Sequence, residues 1–424
     1  MTPALPMGAG FDYRNGELHC EDVALAELAN RFGTPLYVYS RAAITAAYRA
    51  YANALEGRTA LVCYAMKANS NLAVLDVLAR LGAGFDIVSG GELERVLAAG
   101  ASASKVVFSG VGKSEREIEQ ALGVDILCFN VESVAELERI DTVAQRLGKR
   151  ARVSIRVNPD VDARTHPYIS TGLKENKFGV SYGQTLDVYR DAARRGGLEV
   201  VGIDCHIGSQ ITEIAPYLDA AERILELVEA LEREGIVLEH IDFGGGLGIR
   251  YRSEEPPPSS ELVKALLARL DARGLGHRRV MFEPGRSIVG NAGVLLTRVE
   301  YLKHGEAKHF AIVDAAMNDL LRPTLYDAWM GVVPVAPGRE ATQIYDVVGP
   351  VCESGDWLAR DRALALTVGD LLAVTSAGAY GMAMGSNYNT RPRAAEVMVD
   401  GRQAFCVRQR ERIVDLIAGE STLP

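Results

Sequence analysis

The sequence predicts an α/β protein in which a (β/α)₈ TIM-like barrel is followed by a smaller β-rich domain. Between about residue 40 and residue 286, short apolar runs alternate with amphipathic stretches, as strands and helices do in a parallel barrel. After residue 290 the pattern changes to short β-like segments separated by Gly and Pro. A doubly wound parallel sheet is the alternative for the first part, but eight strands with intervening helices favour the barrel.

Eight apolar runs give the predicted barrel strands. They are 61–66, 84–88, 106–108, 126–129, 153–157, 201–205, 241–243 and 280–282. Helical patterns lie between them, several of which follow a Ser or Asn cap and end near a glycine. Examples are 71–81, 91–99, 115–122 and 217–234.

The later segments predict a second domain rich in β-strands. Its predicted strands are 293–301, 309–313, 343–348, 371–376 and 396–399. Near the N-terminus, Asn15-Gly16 is typical of a hairpin turn, and we expect that hairpin to pair with the later sheet. The predicted division is therefore 1–40 joining the β domain, 41–286 as the barrel and 287–424 as the β-rich domain.

Composition argues against several classes of protein. The 46 Lys and Arg residues are outnumbered by 55 Asp and Glu, which is the opposite of the balance that binds nucleic acid backbones. No run of about 18 apolar residues and no export signal is present, so we expect a cytoplasmic protein without a membrane partner. None of the six cysteines forms a CxxC pair, and no metal site is predicted.

Polar residues and glycines follow the predicted strands at the ends that share one face of a parallel barrel. Because barrel enzymes place their active sites on that face, the sequence favours an enzyme. These residues are Lys67, Asp86, Ser89, Arg156, Asn158, His206, Ser209, Gly244, Gly245, Gly246, Glu283 and Arg286.

Taken singly, these residues also have structural interpretations. A lysine at a strand end is usually a solvated charge, but Lys67 precedes a helix-capping loop, where its amine could attack a carbonyl carbon. The glycine run 244–248 is either a flexible turn or a backbone cradle for a phosphate, and it does not fit GxGxxG because residue 249 is Ile. Gly112-Lys113-Ser114 resembles the end of a P-loop, but the required earlier glycine is Val107.

The remaining candidates are equally open when each is considered alone. His206 is either a structural histidine or a ring that stacks on an aromatic cofactor. Glu283 and Arg286 could form an ion pair, or Arg286 could hold an anionic group. Cys352 lies beside an acidic loop, and a single cysteine in such a place usually has no catalytic role.

Six short motifs together resemble one family. They are YAMKAN (64–69), HIGSQ (206–210), GGG (244–246), EPGR (283–286), CES (352–354) and GAYG (378–381). With them the chain resembles the diaminopimelate decarboxylases, which are fold-type III pyridoxal-phosphate-dependent decarboxylases related to alanine racemase and ornithine decarboxylase. The resemblance runs from about residue 13 to beyond residue 391 and includes 166–171 and KFG at 177–179.

The resemblance implies pyridoxal 5'-phosphate as the cofactor, bonded to Lys67 with His206 against its ring. Glu283 would face the pyridine nitrogen; a carboxylate about 4 Å away, at an effective dielectric constant of about 20, favours the protonated ring by about 4 kcal/mol. The implied catalytic residues are Lys67, His206, Glu283 and Cys352. The other implied cofactor-binding residues are Ser209, Gly245, Gly246, Gly285, Arg286 and Tyr380.

The implied reaction is the decarboxylation of meso-2,6-diaminopimelate to L-lysine and CO2, the last step of lysine biosynthesis. Cys352 would protonate the α-carbon and, with Glu353, would come from the partner subunit, which implies a head-to-tail homodimer with shared active sites. The implied substrate-binding residues are Arg286, Arg322, Tyr326, Glu353 and Tyr380. In one departure, Trp329-Met330 stands where many members have a histidine shortly after the tyrosine.

Several other functions stay open at this point. The same fold serves decarboxylases of ornithine, arginine or lysine, and an ornithine decarboxylase would have no use for Arg322. A specialised relative that acts on a similar amino acid also stays open because of Trp329-Met330. An amino-acid racemase is disfavoured, because racemases of this fold pair the pyridine nitrogen with arginine instead of a carboxylate. A non-enzymatic cofactor carrier would not need the second domain.

Overall fold

The computed structural model describes residues 10–162, 177–338 and 340–424, so the motif at 166–171 lies outside the described residues. The chain divides into two compact units. The barrel unit contains Ala47–Ile249 and Glu255–Ser287, and the sheet unit contains Met1–Ala46, Arg250–Glu254 and Ile288–Pro424. Within the described ranges, none of the helices combines the length and the apolar character needed to cross a membrane.

A closed barrel of eight parallel strands forms the barrel unit, as predicted. Neighbouring strands pair in chain order, and the eighth closes the ring on the first, with Met281 opposite Leu61. All eight carboxyl ends therefore open on one face. The strands are Ala60–Ala65, Gly84–Ile87, Val106–Phe108, Cys128–Val131, Ala151–Asn158, Leu198–Asp204, His240–Asp242 and Arg279–Phe282.

Helices separate the barrel strands, and side-chain caps begin several of them. Ser89, Ser114 and Ser133 each accept a hydrogen bond from the backbone N–H three residues later, which satisfies a donor of the first helical turn. The helices are Arg41–Ala54, Leu72–Arg80, Gly90–Ala98, Glu115–Gly123, Val134–Arg146, Thr185–Arg194, Ala215–Arg233 and Ser259–Ala272. A two-residue strand, Val180–Ser181, pairs beside the fifth barrel strand.

Small and flexible side chains fill the interior of the barrel. Cys63, Val107, Cys128, Val201 and Met281 come from five different strands and form one buried cluster. A barrel filled in this way is a packed core and not a channel, so ligands reach the strand ends only from the open face.

A mixed nine-stranded sheet dominates the sheet unit. Its longest strand, Gly293–His304, pairs with three others, and this sheet buries its own apolar core. The strands are Leu36–Ser40, Gly293–His304, His309–Val313, Val332–Pro334, Gln343–Val348, Trp357–Leu364, Leu371–Val374, Ala395–Asp400 and Gln403–Arg408. The short helices of this unit are Leu25–Phe32, Arg322–Tyr326 and Ile413–Leu416, and Arg286–Val289 spans the boundary in sequence between the two units.

The N-terminal hairpin forms, but its pairing differs from the expectation. Asn15 and Gly16 both have positive φ (53° and 82°), as a tight hairpin turn requires. The hairpin strands Phe11–Arg14 and Glu17–Cys20 join Val23–Ala24 in a separate three-stranded sheet. Leu36–Ser40 is instead the N-terminal strand of the large sheet, where all five of its residues are buried.

Candidate active site

Lys67 lies at the open face of the barrel. It sits in the 3₁₀ turn Met66–Ala68, directly after the first barrel strand. Its Nζ donates a hydrogen bond to Oδ2 of Asp86, on the second strand, at 2.7 Å. The Asp86 side chain is fully buried, whereas that of Lys67 is 38% exposed. A buried carboxylate therefore positions the amine while leaving it accessible to a ligand.

His206 follows the sixth strand and is neutral. The backbone N–H of Gly245 donates to its Nδ1 at 3.2 Å, and a ring nitrogen accepts only when it carries no proton. Burial, together with the positive charges of Arg156 and Lys67, holds the pKa of His206 well below its usual value. The contact assigns the proton to Nε2, so the ring offers a flat, uncharged face.

The glycine run after the seventh strand is a close-packed loop and not a flexible turn. A Cβ at Gly245 would lie 2.0 Å from the carbonyl oxygen of Glu283, and one at Gly246 would lie 2.2 Å from that of Gly208. Gly246 also has φ of 101°, which side-chain-bearing residues rarely adopt. Only glycine allows the seventh-strand loop to approach the loops after strands six and eight this closely.

Ser209 and Arg286 form a hydrogen-bonded pair. Nη2 of Arg286 donates to Oγ of Ser209 at 2.9 Å, and Arg286 is only 5% exposed. Gly285 allows this arrangement, because a Cβ there would lie 2.9 Å from the carbonyl oxygen of Ala65. A buried guanidinium beside a hydroxyl can donate several hydrogen bonds to phosphate oxygens.

Glu283 belongs to a cluster of buried carboxyl groups. Glu283, Asp204 and Asp242 each place one carboxylate oxygen within 4.8 Å of the others. Burial raises the pKa of all three: that of Asp204 reaches about 7, and mutual repulsion contributes to the rise at Glu283 and Asp242. Burial therefore favours proton retention in this cluster, although the charges of Arg156 and Lys67 oppose the rise at Asp204. Carboxyl groups that retain protons are poor metal ligands.

Arg156 stands beside this cluster on the fifth strand. Its Nη1 donates to Oε1 of Glu132 at 2.8 Å, its Nε lies 3.9 Å from Oδ2 of Asp204, and its guanidinium lies 4.9 Å from the ring of Phe178. Glu132, Asp204 and Asp242 were not selected from the sequence. The sequence feature that could have identified them is an acidic residue within or directly after an apolar strand.

Arg322 and Tyr326 lie in the sheet unit, in the short helix Arg322–Tyr326. Arg322 is 7% exposed, and its guanidinium lies 5.1 Å from the ring of Tyr251 and 5.8 Å from that of Tyr326. Aromatic faces favour a desolvated cation without neutralising it. Arg322 is therefore a buried cation that packs beside two tyrosine rings of the sheet unit.

Trp329, the departure noted in the sequence, lies between two arginines of the sheet unit. Its ring is 5.6 Å from the guanidinium of Arg252 and 4.6 Å from that of Arg362. Arg362 also donates to the carbonyl oxygen of Met330 at 3.0 Å. Trp329 therefore stacks with cations that a neutral histidine ring would attract less strongly.

Cys352, Glu353 and Tyr380 also belong to the sheet unit. Cys352 is exposed and forms no disulfide, and its backbone N–H donates to Oδ1 of Asn389 at 3.2 Å. Tyr380 has a positive φ of 55°. The structure thus brings together the predicted residues of the barrel unit. Cys352, Glu353 and Tyr380 lie in the sheet unit.

Comparison with known proteins identifies the family. Residues 41–290 match the family described as pyridoxal-dependent decarboxylase, pyridoxal binding domain. The chain is 64% identical over 415 residues to diaminopimelate decarboxylase of Pseudomonas fluorescens, a match that covers 98% of this chain and 99% of that protein. The chain belongs to the diaminopimelate decarboxylase family. The resemblance found in the sequence and the pyridoxal-phosphate dependence that it implied are confirmed.

Solved structures of related decarboxylases agree with this membership. Diaminopimelate decarboxylase of M. jannaschii in co-complex with L-lysine has a TM-score of 0.94, 37% identity and 99% coverage of both chains. Lysine decarboxylase of Selenomonas ruminantium is more distant, with a TM-score of 0.82, 25% identity and coverage of 92% of this chain and 97% of that one. The fold-type III assignment, a barrel with a β-rich domain, is therefore confirmed.

The side chains of the barrel unit suit the cofactor of the diaminopimelate decarboxylase family. Pyridoxal phosphate carries an aldehyde, a phosphate and a basic ring nitrogen, and each finds a chemical counterpart here. Lys67 supplies a primary amine, Ser209 and Arg286 supply anion-binding donors, and Glu283 supplies a carboxyl group. The neutral ring of His206 suits the apolar face of an aromatic ring.

Proposed function

We propose that this chain is a pyridoxal-phosphate-dependent carboxy-lyase that converts meso-2,6-diaminopimelate to L-lysine and CO2, the last step of lysine biosynthesis. The observation that carries the proposal is the near-full-length identity to diaminopimelate decarboxylases. The solved diaminopimelate decarboxylases of Helicobacter pylori and M. jannaschii contain L-lysine, which is the product of this reaction. The two-domain fold also favours an enzyme over a single-domain cofactor carrier.

The barrel unit holds the cofactor in this proposal. Lys67 would hold the cofactor through its aldehyde, Ser209 and Arg286 would bind the phosphate together with backbone of Gly245 and Gly246, and Gly285 would complete the set. Tyr380 of the sheet unit is also assigned to the cofactor. When bound, pyridoxal phosphate supplies an electron-accepting ring that takes the electron pair left as CO2 departs. The neutral ring of His206 would support the cofactor ring, and Glu283 would favour a proton on the ring nitrogen.

The sheet unit contributes the substrate contacts and the acid. The second carboxylate of diaminopimelate binds the guanidinium groups of Arg286 and Arg322 and the hydroxyl of Tyr326, because guanidinium matches carboxylate bidentately. The carboxylate of Glu353 accepts hydrogen bonds from the distal ammonium group. Cys352 donates a proton to the α-carbon after decarboxylation, a role that its accessible thiol permits.

The test is a comparison of substrates. Purified protein supplied with pyridoxal phosphate should release CO2 and L-lysine from meso-diaminopimelate. Its kcat/KM should be about 100-fold or more above that for lysine, ornithine or arginine, because loss of a bidentate ion pair costs about 2–3 kcal/mol. Equal turnover of ornithine would contradict the assignment. Incubation with L-alanine followed by chiral analysis excludes a racemase if no D-alanine forms.

Arg322→Ala should raise KM for diaminopimelate about 10- to 100-fold, with a smaller change in kcat. The substitution removes a buried cation and leaves Arg286 as the one remaining guanidinium assigned to the distal carboxylate. Arg360→Ala is the matched control, because Arg360 is an exposed arginine of the same unit. An unchanged KM in Arg322→Ala would mean that the substrate pocket has been misplaced.

We further propose a cytoplasmic homodimer in which each active site receives Cys352 and Glu353 from the partner subunit. Exposed apolar side chains follow the first four barrel strands on the face that carries Lys67, which suits a surface covered by another chain. They are Leu72, Val88, Val111 and Val134. A reducing compartment keeps the thiol of Cys352 available as an acid.

Mixing two inactive variants tests the shared sites. Lys67→Ala and Cys352→Ala should each be nearly inactive alone. After dissociation and reassociation of a 1:1 mixture, about half of the dimers are mixed and each contains one intact site, so about a quarter of wild-type activity should return. Activity that stays at the level of the separate variants would place both residues of a site in one chain.

A further inference from the structure

We propose that Asn130 is a positioning residue for Glu283: its side-chain amide holds one carboxylate oxygen, so that Glu283 faces the ring nitrogen of the cofactor in one orientation. This inference rests on the proposed function, because it concerns the carboxylate assigned to that nitrogen. Asn130 belongs to no motif selected from the sequence.

The contact spans the barrel. Asn130 lies in the fourth strand, Cys128–Val131, and Glu283 directly follows the eighth, so the two come from opposite sides of an eight-stranded ring. Nδ2 of Asn130 donates to Oε1 of Glu283 at 3.0 Å and to Oγ of Ser109 at 3.2 Å. Asn130 is fully buried, so water does not compete for this donor.

A buried lysine anchors the backbone of Asn130. Nζ of Lys113 donates to the carbonyl oxygens of Asn130 and Gly110, both at 2.8 Å, and to Oε1 of Glu136 at 2.6 Å. An ammonium group has three donors, and all three are used here. Lys113, which resembled part of a P-loop in the sequence, therefore has a structural role that fixes the position of Asn130.

Asn130 is a neutral donor in a site crowded with acids. Burial raises the pKa of Glu283, and the carboxyl groups of Asp86, Asp242 and Asp204 raise it further. A donor directed at Oε1 favours the ionised form and fixes the plane of the carboxylate. Without it, the plane of the Glu283 carboxyl group would no longer be fixed, and its pairing with a protonated ring nitrogen would weaken.

The experiment compares two cofactors that differ only at the ring nitrogen. Cofactor-free full-length protein is titrated with pyridoxal phosphate and with its 1-deaza analogue, in which C–H replaces the nitrogen, and Kd is measured for each. Asn130→Ala should weaken binding of pyridoxal phosphate about tenfold and leave binding of the analogue within about twofold of wild type, because only the first cofactor uses the Glu283 charge. Asn130→Leu, which fills the space without a donor, should behave in the same way.

Ser109→Ala is the matched control, because it removes the other partner of the same amide and leaves the contact with Glu283. It should bind both cofactors as wild type does. Equal weakening of both cofactors in the Asn130 variants would show a merely structural role, and unchanged binding of both would show none; either result overturns the inference. No amino acid is needed for these measurements, so failure of wild type to decarboxylate diaminopimelate would overturn the proposed function separately.

Discussion

Lys67→Ala should lower kcat for decarboxylation of diaminopimelate by about 10⁴-fold or more, because nothing else at this position can bond to the cofactor aldehyde. The cofactor should also be lost during gel filtration, since only noncovalent contacts to its phosphate and ring remain. CO2 release and the absorbance of the protein fraction above 300 nm measure the two effects. An added primary amine such as methylamine should restore a small part of the activity.

A second lysine provides the control for this experiment. Lys105→Ala removes an exposed lysine that donates to the carbonyl oxygen of Gly82 at 3.0 Å. It should retain wild-type activity and bound cofactor. Both variants should melt cooperatively, which separates loss of chemistry from loss of folding. Retention of more than about 1% of activity by Lys67→Ala would contradict the role of Lys67 as the bonding amine.

The barrel was predictable because its strands are buried on both faces and therefore appear as continuous apolar runs. The run 106–108 coincides with the strand Val106–Phe108. The sheet unit was harder to predict. Trp357–Leu364 contains Arg360, Asp361 and Arg362 and pairs through two register shifts, so its alternation is interrupted. Gln403–Arg408 lies at a sheet edge and has no buried residue, although residues 404–407 are apolar, and it was missed in the sequence.

The site was predictable only where a residue occurs in a local motif. Lys67, His206, Ser209, Glu283 and Arg286 each follow a strand within a short recognisable stretch. Their neighbours in space carry no such signal. Asn130 lies 153 residues from Glu283 in sequence, and only closure of the barrel brings the two side chains into contact. Partners of this kind depend on the three-dimensional structure.

Glu283→Gln should reduce decarboxylation about 100- to 1000-fold. An amide keeps the shape of the side chain but has no charge, and the charge is worth about 4 kcal/mol, or about three pKa units, at the ring nitrogen. A neutral ring accepts the electron pair from the breaking C–C bond less readily. The effect should fall mainly on kcat, because Glu283 is assigned to the cofactor and not to the substrate. Steady-state kinetics with saturating cofactor measure it.

The same variant should change the pH dependence of folding in the cofactor-free protein. The carboxyl groups of Asp204, Asp242 and Glu283 titrate near pH 4 when unfolded, whereas in the fold the pKa of Asp204 is about 7 and the other two are raised well above their usual values. At pH values between the unfolded and the folded pKa values, the folded protein binds more protons than the unfolded chain. The free energy of unfolding therefore falls as the pH rises through this range.

Removing one of the three acids should make this fall shallower, both because Gln does not titrate and because the repulsion on its two neighbours is relieved. Melting temperatures of cofactor-free wild type and Glu283→Gln from pH 5 to pH 8 measure the difference, which should be greatest at the alkaline end. Bound cofactor should reduce the difference in wild type, because a protonated ring nitrogen neutralises the cluster. Parallel melting curves across the whole pH range would contradict the coupling of Glu283 to Asp204 and Asp242.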